Sequence, residues 1–244
     1  MIILGYILIA TFSLSFFALL GVFFLALNQK STQNILLFLV SLSAGTLMGG
    51  AFLHLMPEGI SKQPAENFFL MMLGSFILFF FIEKILHWQH CHNEEEEIHS
   101  FGYMSLIGSG VHHFIDGLII AATFLVDVKL GIAAVIAIGL HEIPQEIGNC
   151  AILLCAGFKK TKALLLNLAV SLTMVAGGLL GYFMALGAEN VITYLLPLAA
   201  GGFLYISTSD LIPEIRKEKD IKKSFYSFGI FLLGLGIMYL TKLI

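Results

Sequence analysis

The chain has 244 residues, of which 58% are hydrophobic and 12% are charged, and its mean hydropathy is +0.94. An ordinary soluble domain carries roughly 25% charged residues, so this composition excludes that class. The net charge of −3 gives no sign of a nucleic-acid partner, and none is expected. The three cysteines, Cys91, Cys150 and Cys155, are odd in number and lack framework spacing, so no disulfide scaffold is expected.

Eight runs of the sequence are long and apolar enough to cross a bilayer, which takes about 20 residues. They predict an all-α polytopic membrane protein with one transmembrane domain over residues 1–244; a β-barrel would instead show short alternating segments. The first run has no basic residue before it and exceeds the apolar region of about 7–15 residues in a signal peptide, so it is expected to be helix 1. The predicted helices cover residues 2–27, 34–56, 67–87, 101–125, 129–157, 162–186, 191–212 and 224–243.

The basic residues predict the orientation, because short cytoplasmic loops are rich in Lys and Arg. If the N-terminus lies outside, ten of the 13 basic residues fall on the inside, and eight helices then return the C-terminus to the outside. We therefore expect both termini outside, with the cell membrane as the most plausible location.

Helices 2 and 7 carry a similar segment. Residues 44–58 and 200–214 match at five of fifteen positions, and both segments end in Leu-x-Pro-Glu. The two helices run in opposite directions, so the match predicts an inverted repeat of helices 1–3 and 6–8 around helices 4 and 5. It would put His54 at the outer mouth and Asp210 at the inner mouth of one pathway. A chance match between glycine-rich apolar helices remains the alternative.

The segment between helices 3 and 4, residues 88–100, is predicted to be a cytoplasmic loop rich in metal-binding residue types. Imidazole, thiol and carboxylate groups suit a borderline divalent cation, which favours a weak metal-collecting role. The alternative is a solvated acidic loop. The histidines of this region are His87, His90, His92 and His99.

Two polar motifs interrupt helices 4 and 5, His-His-Phe-Ile-Asp-Gly at 112–117 and His-Glu-Ile-Pro-Gln-Glu at 141–146. Ionisable groups inside a membrane are costly and usually functional. His112 lies fifteen residues before Asp127 and His141 fourteen after it. At about 1.5 Å per residue, both lie about 22 Å from the turn, so the motifs are expected to meet at one depth.

Helical spacing puts His112 with Asp116, and His141 with Gln145, on shared faces. Pro144 cannot donate a backbone N–H, so it should free a carbonyl oxygen nearby. Together these groups predict a site for a divalent transition metal. His113 and Glu142 would build a second site beside it or accept protons. A single membrane histidine is often only hydrogen-bonded to a neighbour, but so many ionisable groups on two adjacent helices argue against that interpretation.

The motifs at 112–117 and 141–146, with the similar ends of helices 2 and 7, resemble those of the ZIP family of divalent metal transporters. The resemblance covers essentially the whole chain. It implies eight helices with inverted halves and a binuclear metal centre between helices 4 and 5. By that resemblance the main site is His112, Asp116, His141 and Gln145, and the second is His113, Glu142 and Gln145.

The family moves zinc, and in some members iron, manganese or cadmium, towards the cytoplasm, often as dimers and by sliding one helix bundle against another. A homodimer is therefore an expected possibility. This sequence has His113 where Asn is common, Gln145 where His or Glu is common, and Asn149 where Asp is common. A neutral Gln is a weak bridging ligand, which disfavours strict binuclearity. The further pathway or second-site candidates are His54, Glu146, Asn149, Asn167 and Asp210.

We therefore predict a zinc transporter without enzymatic activity, with Fe²⁺, Mn²⁺ or Cd²⁺ as alternative substrates. Protons should compete for the ligands, which bind metal only when deprotonated, and Glu142 or Glu146 would carry them. A metal sensor or a channel is the first alternative. An intramembrane zinc protease is a weaker one, because the His-Glu-x-x-His motif that begins at His141 has Gln145 in place of its second histidine.

Overall fold

The computed structural model of the protein describes residues 2–20, 29–90, 98–187 and 191–241. Every regular element in those ranges is a helix, and eight helices are long and apolar enough to cross a membrane. The predicted class, an all-α polytopic membrane protein, is confirmed.

The ends of the observed helices lie up to six residues from the predicted ends in the described part of the chain. The portion of predicted helix 1 from residue 21 to 27 lies outside the described residues. Helix 1 is Ile2–Ser15 with a 3₁₀ turn at Phe16–Leu20; helix 2 is Gln29–Gly49, Gly50–Leu55 and Met56–Lys62; helix 3 is Ala65–His90; helix 4 is Ile98–Val126; helix 5 is Val128–Cys155; helix 6 is Lys160–Ser171 and Thr173–Gly187; helix 7 is Val191–Tyr205, Ile206–Leu211 and Ile212–Arg216; helix 8 is Ile221–Thr241.

Helices 2 and 7 both continue through a proline at which the sequence predicts an end. In each helix a π-helical turn, Gly50–Leu55 or Ile206–Leu211, comes just before the proline-containing helix. The wider turn pairs each N–H with a carbonyl five residues back, as Met56 does with Ala51. This pairing places the proline in the first turn of a new helical segment, where its missing N–H costs little.

The two π-helical segments occupy equivalent positions of the predicted repeat. Ile206–Leu211 lies 156 residues after Gly50–Leu55, which is also the offset between residues 44–58 and 200–214. Close glycine contacts recur at the same offset. A Cβ on Gly45 would lie 2.1 Å from the Phe231 carbonyl oxygen of helix 8, and one on Gly201 would lie 2.6 Å from the Met72 oxygen of helix 3. This recurrence supports the inverted repeat, which remains a proposal.

The helices pack in two groups. Helices 1, 4, 5 and 6 contact one another and form what we call the helix 4–5 group; helices 2, 3, 7 and 8 form the helix 2–7 group. The groups meet mainly where helix 5 crosses helix 2 and helix 4 crosses helix 7. The two polar motifs therefore lie in one group, with the other group packed against them.

The turn between helices 4 and 5 sets the relative depth of the two motifs. The Asp127 carboxylate caps helix 5 by accepting hydrogen bonds from the backbone N–H groups of Lys129 at 2.8 Å and Leu130 at 3.3 Å. A side-chain cap of this kind satisfies donors that a helix N-terminus leaves free. The cap fixes where helix 5 begins, and hence how far His141 lies along it.

Helix 4 also packs closely on helix 6 through glycine. A Cβ on Gly117 would lie 1.9 Å from the Met174 carbonyl oxygen, and one on Gly177 would lie 1.9 Å from the Phe114 oxygen. Small residues allow such approach between membrane helices, where van der Waals packing drives association. Helix 6 is thereby brought against the motif of helix 4.

We expect Gly177→Ala to destabilise the protein, because the added methyl would overlap the Phe114 carbonyl of helix 4. Overpacking of this kind typically costs about 1–3 kcal/mol. The matched control is Gly236→Ala on helix 8, where an added Cβ meets no atom within 4 Å. Thermal unfolding in detergent should show a lower midpoint for Gly177→Ala alone; equal midpoints for the two variants would contradict the packing.

Candidate metal site

Helices 4 and 5 bring four side chains together at one point, which we call the first cluster: His112, Asp116, His141 and Glu142. The His112 and His141 Nε2 atoms lie 3.1 Å apart. Asp116 Oδ2 lies 3.4 Å from His112 Nε2 and 3.2 Å from His141 Nε2. The two motifs thus meet at one depth, as the residue counts from Asp127 predict.

The spacing of these atoms suits a small divalent ion. Glu142 Oε1 lies 3.8 Å from His112 Nε2 and 3.6 Å from His141 Nε2. Zinc bonds of about 2.0–2.1 Å in a tetrahedron put neighbouring ligand atoms about 3.3–3.4 Å apart. The measured separations of 3.1–3.8 Å scatter around that value, so two imidazole nitrogens and two carboxylate oxygens could take one ion with small adjustments.

A second cluster adjoins the first and consists of His113, Glu142 and Glu146. His113 Nδ1 lies 3.0 Å from Glu142 Oε2, and its Nε2 lies 3.3 Å from Glu146 Oε1. Glu142 therefore offers one oxygen to each cluster. The resemblance to the family assigns the bridging position to Gln145, whereas here the carboxylate of Glu142 has the bridging geometry.

Several buried polar atoms in both clusters have no hydrogen-bond partner among the described residues. They are Asp116 Oδ2, both carboxylate oxygens of Glu142 and both ring nitrogens of His113. His113 Nδ1 and Glu142 Oε2, for example, lie 3.0 Å apart without forming a hydrogen bond. Buried polar atoms without partners are costly. A cation placed among them would satisfy the set, so these residues fit a metal ion.

Burial strengthens the requirement for positive charge. Asp116 is 1% exposed, and Glu142 and Glu146 are 0% exposed. All three carboxylates have imidazoles as ion-pair partners, and an imidazole is charged only when protonated. An uncompensated carboxylate inside a membrane protein is strongly unfavourable. The clusters therefore need bound cations, protons or both to be stable.

Side chains of helix 6 donate hydrogen bonds to Glu146 of the second cluster, and helix 1 in turn contacts helix 6. Asn167 Nδ2 donates to Glu146 Oε2 at 2.5 Å, and the Ser171 hydroxyl donates to Glu146 Oε1 at 2.9 Å. The Ser15 hydroxyl of helix 1 in turn donates to the Ser171 carbonyl at 2.8 Å. Asn167 thus lies where the sequence suggests a second-site residue, and it contacts Glu146.

Gln145, which the resemblance assigns to the main site, lines a cavity of about 380 Å³, and its role as a metal ligand stays a prediction. The cavity reaches His112 and His141 and is also lined by Asn149 and Asp210. It opens at the end of the bundle where helix 7 ends, and it shares Val40 and Glu214 with a second cavity of about 470 Å³ at the lysine-rich connection to helix 8. Asp210 therefore lies at a mouth that connects to the first cluster.

His54, the counterpart of Asp210 in the repeat, has different surroundings. Its Nε2 lies 2.9 Å from the Met238 carbonyl oxygen and 3.1 Å from the Thr241 hydroxyl, both on helix 8. Of the loop histidines, His87 and His90 belong to the end of helix 3 and His99 to the start of helix 4. Their side chains, and all of His92, lie outside the described residues.

Sequence reasoning missed Glu83 and Tyr205. The Tyr205 hydroxyl of helix 7 donates to the Glu83 carboxylate of helix 3, and both residues line a cleft of about 130 Å³ that also reaches His112 and Asp210. An acid within a predicted span is a signal that could have identified Glu83. Tyr205 carries no such signal, because an aromatic residue in a membrane helix is common.

Comparison with known proteins identifies the family of the chain. The family model described as ZIP zinc transporter matches residues 2–101 and 88–242. A zinc transporter ZIP13 of Pongo abelii is 34% identical over 224 residues, covering 84% of this chain and 66% of that protein. The ZIP13 of Mus musculus is 31% identical over 254 residues, covering 84% of this chain and 69% of that protein.

A third relative, the ZIP13 of Danio rerio, is 38% identical over 158 residues, which cover 62% of this chain and 44% of that protein. The chain thus spans slightly less than two thirds of the Pongo abelii relative and less than half of the Danio rerio relative. The family model nevertheless matches nearly every residue of this chain. The chain belongs to the ZIP zinc transporter family.

Proposed function

We propose that the protein transports a divalent metal ion, with zinc as the main substrate, and that the ion binds at the first cluster. The observation that carries this proposal is the convergence of His112, Asp116, His141 and Glu142 within the membrane-spanning part of the fold. The relatives named as zinc transporters support zinc as the substrate. Imidazole and carboxylate ligands suit zinc, although they also accept other first-row metals.

The first cluster supplies charge that matches a divalent ion. With both histidines neutral, its two carboxylates carry two negative charges, and the four ligand atoms replace water around the ion. Protons compete with metal for the same atoms, because the ligands must be deprotonated to bind. Release of the ion therefore leaves carboxylates that need protons, and Glu142 or Glu146 would carry them.

The route from the site runs through the cavity that opens at Asp210. The positive-inside rule assigns this end, where the lysines of the helix 7–8 connection lie, to the cytoplasm. Both ends of the described chain, Ile2 and Thr241, are then at the outer face of the cell membrane. The proposed direction is thus inward, with release past Asp210 and Glu214.

The division into two helix groups supports transport by alternating access. Both clusters lie in the helix 4–5 group, whereas Asp210 and Glu214, which line the cavity, lie in the helix 2–7 group. Movement of one group against the other would close the cavity at Asp210 and open a path on the opposite face. The inverted repeat supports this scheme, because repeated halves can exchange environments between two states.

Loss of a ligand from the first cluster should abolish transport. In vesicles that contain the protein, His141→Ala and Asp116→Ala should each lower the uptake of radioactive zinc at least about tenfold. The matched control is Thr123→Val on helix 4, a buried residue whose hydroxyl contacts only carbonyls of its own helix. Wild-type uptake by His141→Ala and Asp116→Ala would rule out the first cluster as the transport site.

We further propose that the second cluster binds a second ion and that Glu142 bridges the two. Its three buried ligand atoms lie within 4.8 Å of one another. Purified protein titrated with zinc should bind two ions per chain, and Glu146→Gln should bind one, because it removes a carboxylate of the second cluster alone. Glu66→Gln, an exposed acid on helix 3, should keep both ions. A single ion in the wild-type protein would exclude the second position.

A further inference from the structure

The backbone carbonyl of Leu140, directly before the ligand His141, lacks its usual helical partner. In an α-helix it would accept the N–H of residue 144, and Pro144 has none. The Ser43 hydroxyl of helix 2 lies 2.6 Å from this oxygen. The oxygen freed by the proline is therefore bonded to protein and is not left open as a metal ligand.

The Ser43 hydroxyl has two carbonyls within reach and only one proton. It lies 2.6 Å from the Leu39 oxygen of its own helix and 2.6 Å from the Leu140 oxygen. The Leu39 oxygen already accepts the helical N–H of Ser43, whereas the Leu140 oxygen has lost its N–H to the proline. A buried carbonyl needs a donor, so the proton is required at Leu140.

This bond fixes the backbone that carries the His141 ring. The ring Nδ1 lies 3.4 Å from the Ala137 carbonyl of the preceding turn, while its Nε2 points at the first cluster. The direction of Nε2 therefore depends on the backbone between Ala137 and His141. The hydrogen bond from the Ser43 hydroxyl is therefore a directional link between helix 2 and this part of helix 5.

We propose that Ser43 is a positioning residue for the metal site: by donating to the Leu140 carbonyl freed by Pro144, it holds His141 in the direction that the first cluster requires. The inference rests on the proposed function and deepens it. Ser43 belongs to the helix 2–7 group and His141 to the helix 4–5 group, so the metal affinity of the site is tied to how the two groups sit against each other. Sliding of one group along the other would break the hydrogen bond between Ser43 and the Leu140 carbonyl and weaken binding of the ion.

The test is zinc affinity of the purified full chain, measured by calorimetric titration. Outer partners of metal ligands typically contribute about 10–100-fold to affinity, so Ser43→Ala should weaken zinc binding by about tenfold. The matched control is Ser41→Ala, since Ser41 is equally buried on the same helix but bonds only to its own Leu37 carbonyl at 2.6 Å. Ser41→Ala should bind zinc as the wild-type protein does.

A second variant separates positioning from a merely structural role. Pro144→Ala supplies an N–H that can satisfy the Leu140 carbonyl within helix 5, so adding Ser43→Ala to it should cost little further affinity. Equal zinc affinities of Ser43→Ala and Ser41→Ala would overturn the inference, as would an undiminished loss in the Pro144→Ala background. The proposed function fails separately, if His141→Ala itself binds zinc with wild-type affinity.

Discussion

The structure depends on one electrostatic constraint: three carboxylates and two imidazoles are buried, and the imidazole of His112 is half-buried, inside a group of membrane-spanning helices. Coulomb repulsion between Asp116, Glu142 and Glu146 grows in a low-dielectric interior, and removal from water is costly for each of them. Bound cations relieve both costs at once. The buried carboxylates would destabilise an empty site, and for the same reason they make the site selective for positive charge.

The surrounding fold serves to hold these groups at one depth. The Asp127 cap sets where helix 5 starts, and the glycine contacts of Gly117 and Gly177 bring helix 6 close enough for Asn167 to reach Glu146. The site is thus built by helices of one group. The cavity beside it, in contrast, is shared between the two groups, because it continues from the cluster to Asp210 of helix 7.

The two halves of the proposed repeat differ in the surroundings of their equivalent residues. Asp210 lines the cavity of about 380 Å³, whereas the imidazole of its counterpart His54 contacts the Met238 carbonyl oxygen of helix 8. Each residue is the fifth of the six residues in its π-helical segment. Equivalent segments in unequal surroundings are what an inverted repeat produces when only one face is open. This asymmetry supports the proposed alternating access, in which the cavity at Asp210 opens and closes.

Much of the fold and of the site was accessible from the sequence. Hydropathy gave the eight helices, and counting from Asp127 predicted that His112 and His141 meet. Helical periodicity could not tell which oxygen of Glu142 faces which cluster, because that depends on side-chain torsions. The predicted ends of helices 2 and 7, just before their prolines, were wrong. The π-helical turns that let both helices continue cannot be predicted from composition. Ser43 was missed because an uncharged hydroxyl in a membrane helix gives no signal until its partner is known.

The central claim is that an ion sits among the side chains of helices 4 and 5, and anomalous scattering from crystals grown with zinc tests it most directly. The account predicts a strong anomalous peak bonded to His112, Asp116, His141 and Glu142. Zinc found only at sites outside helices 4 and 5, with no peak at the first cluster, would contradict it.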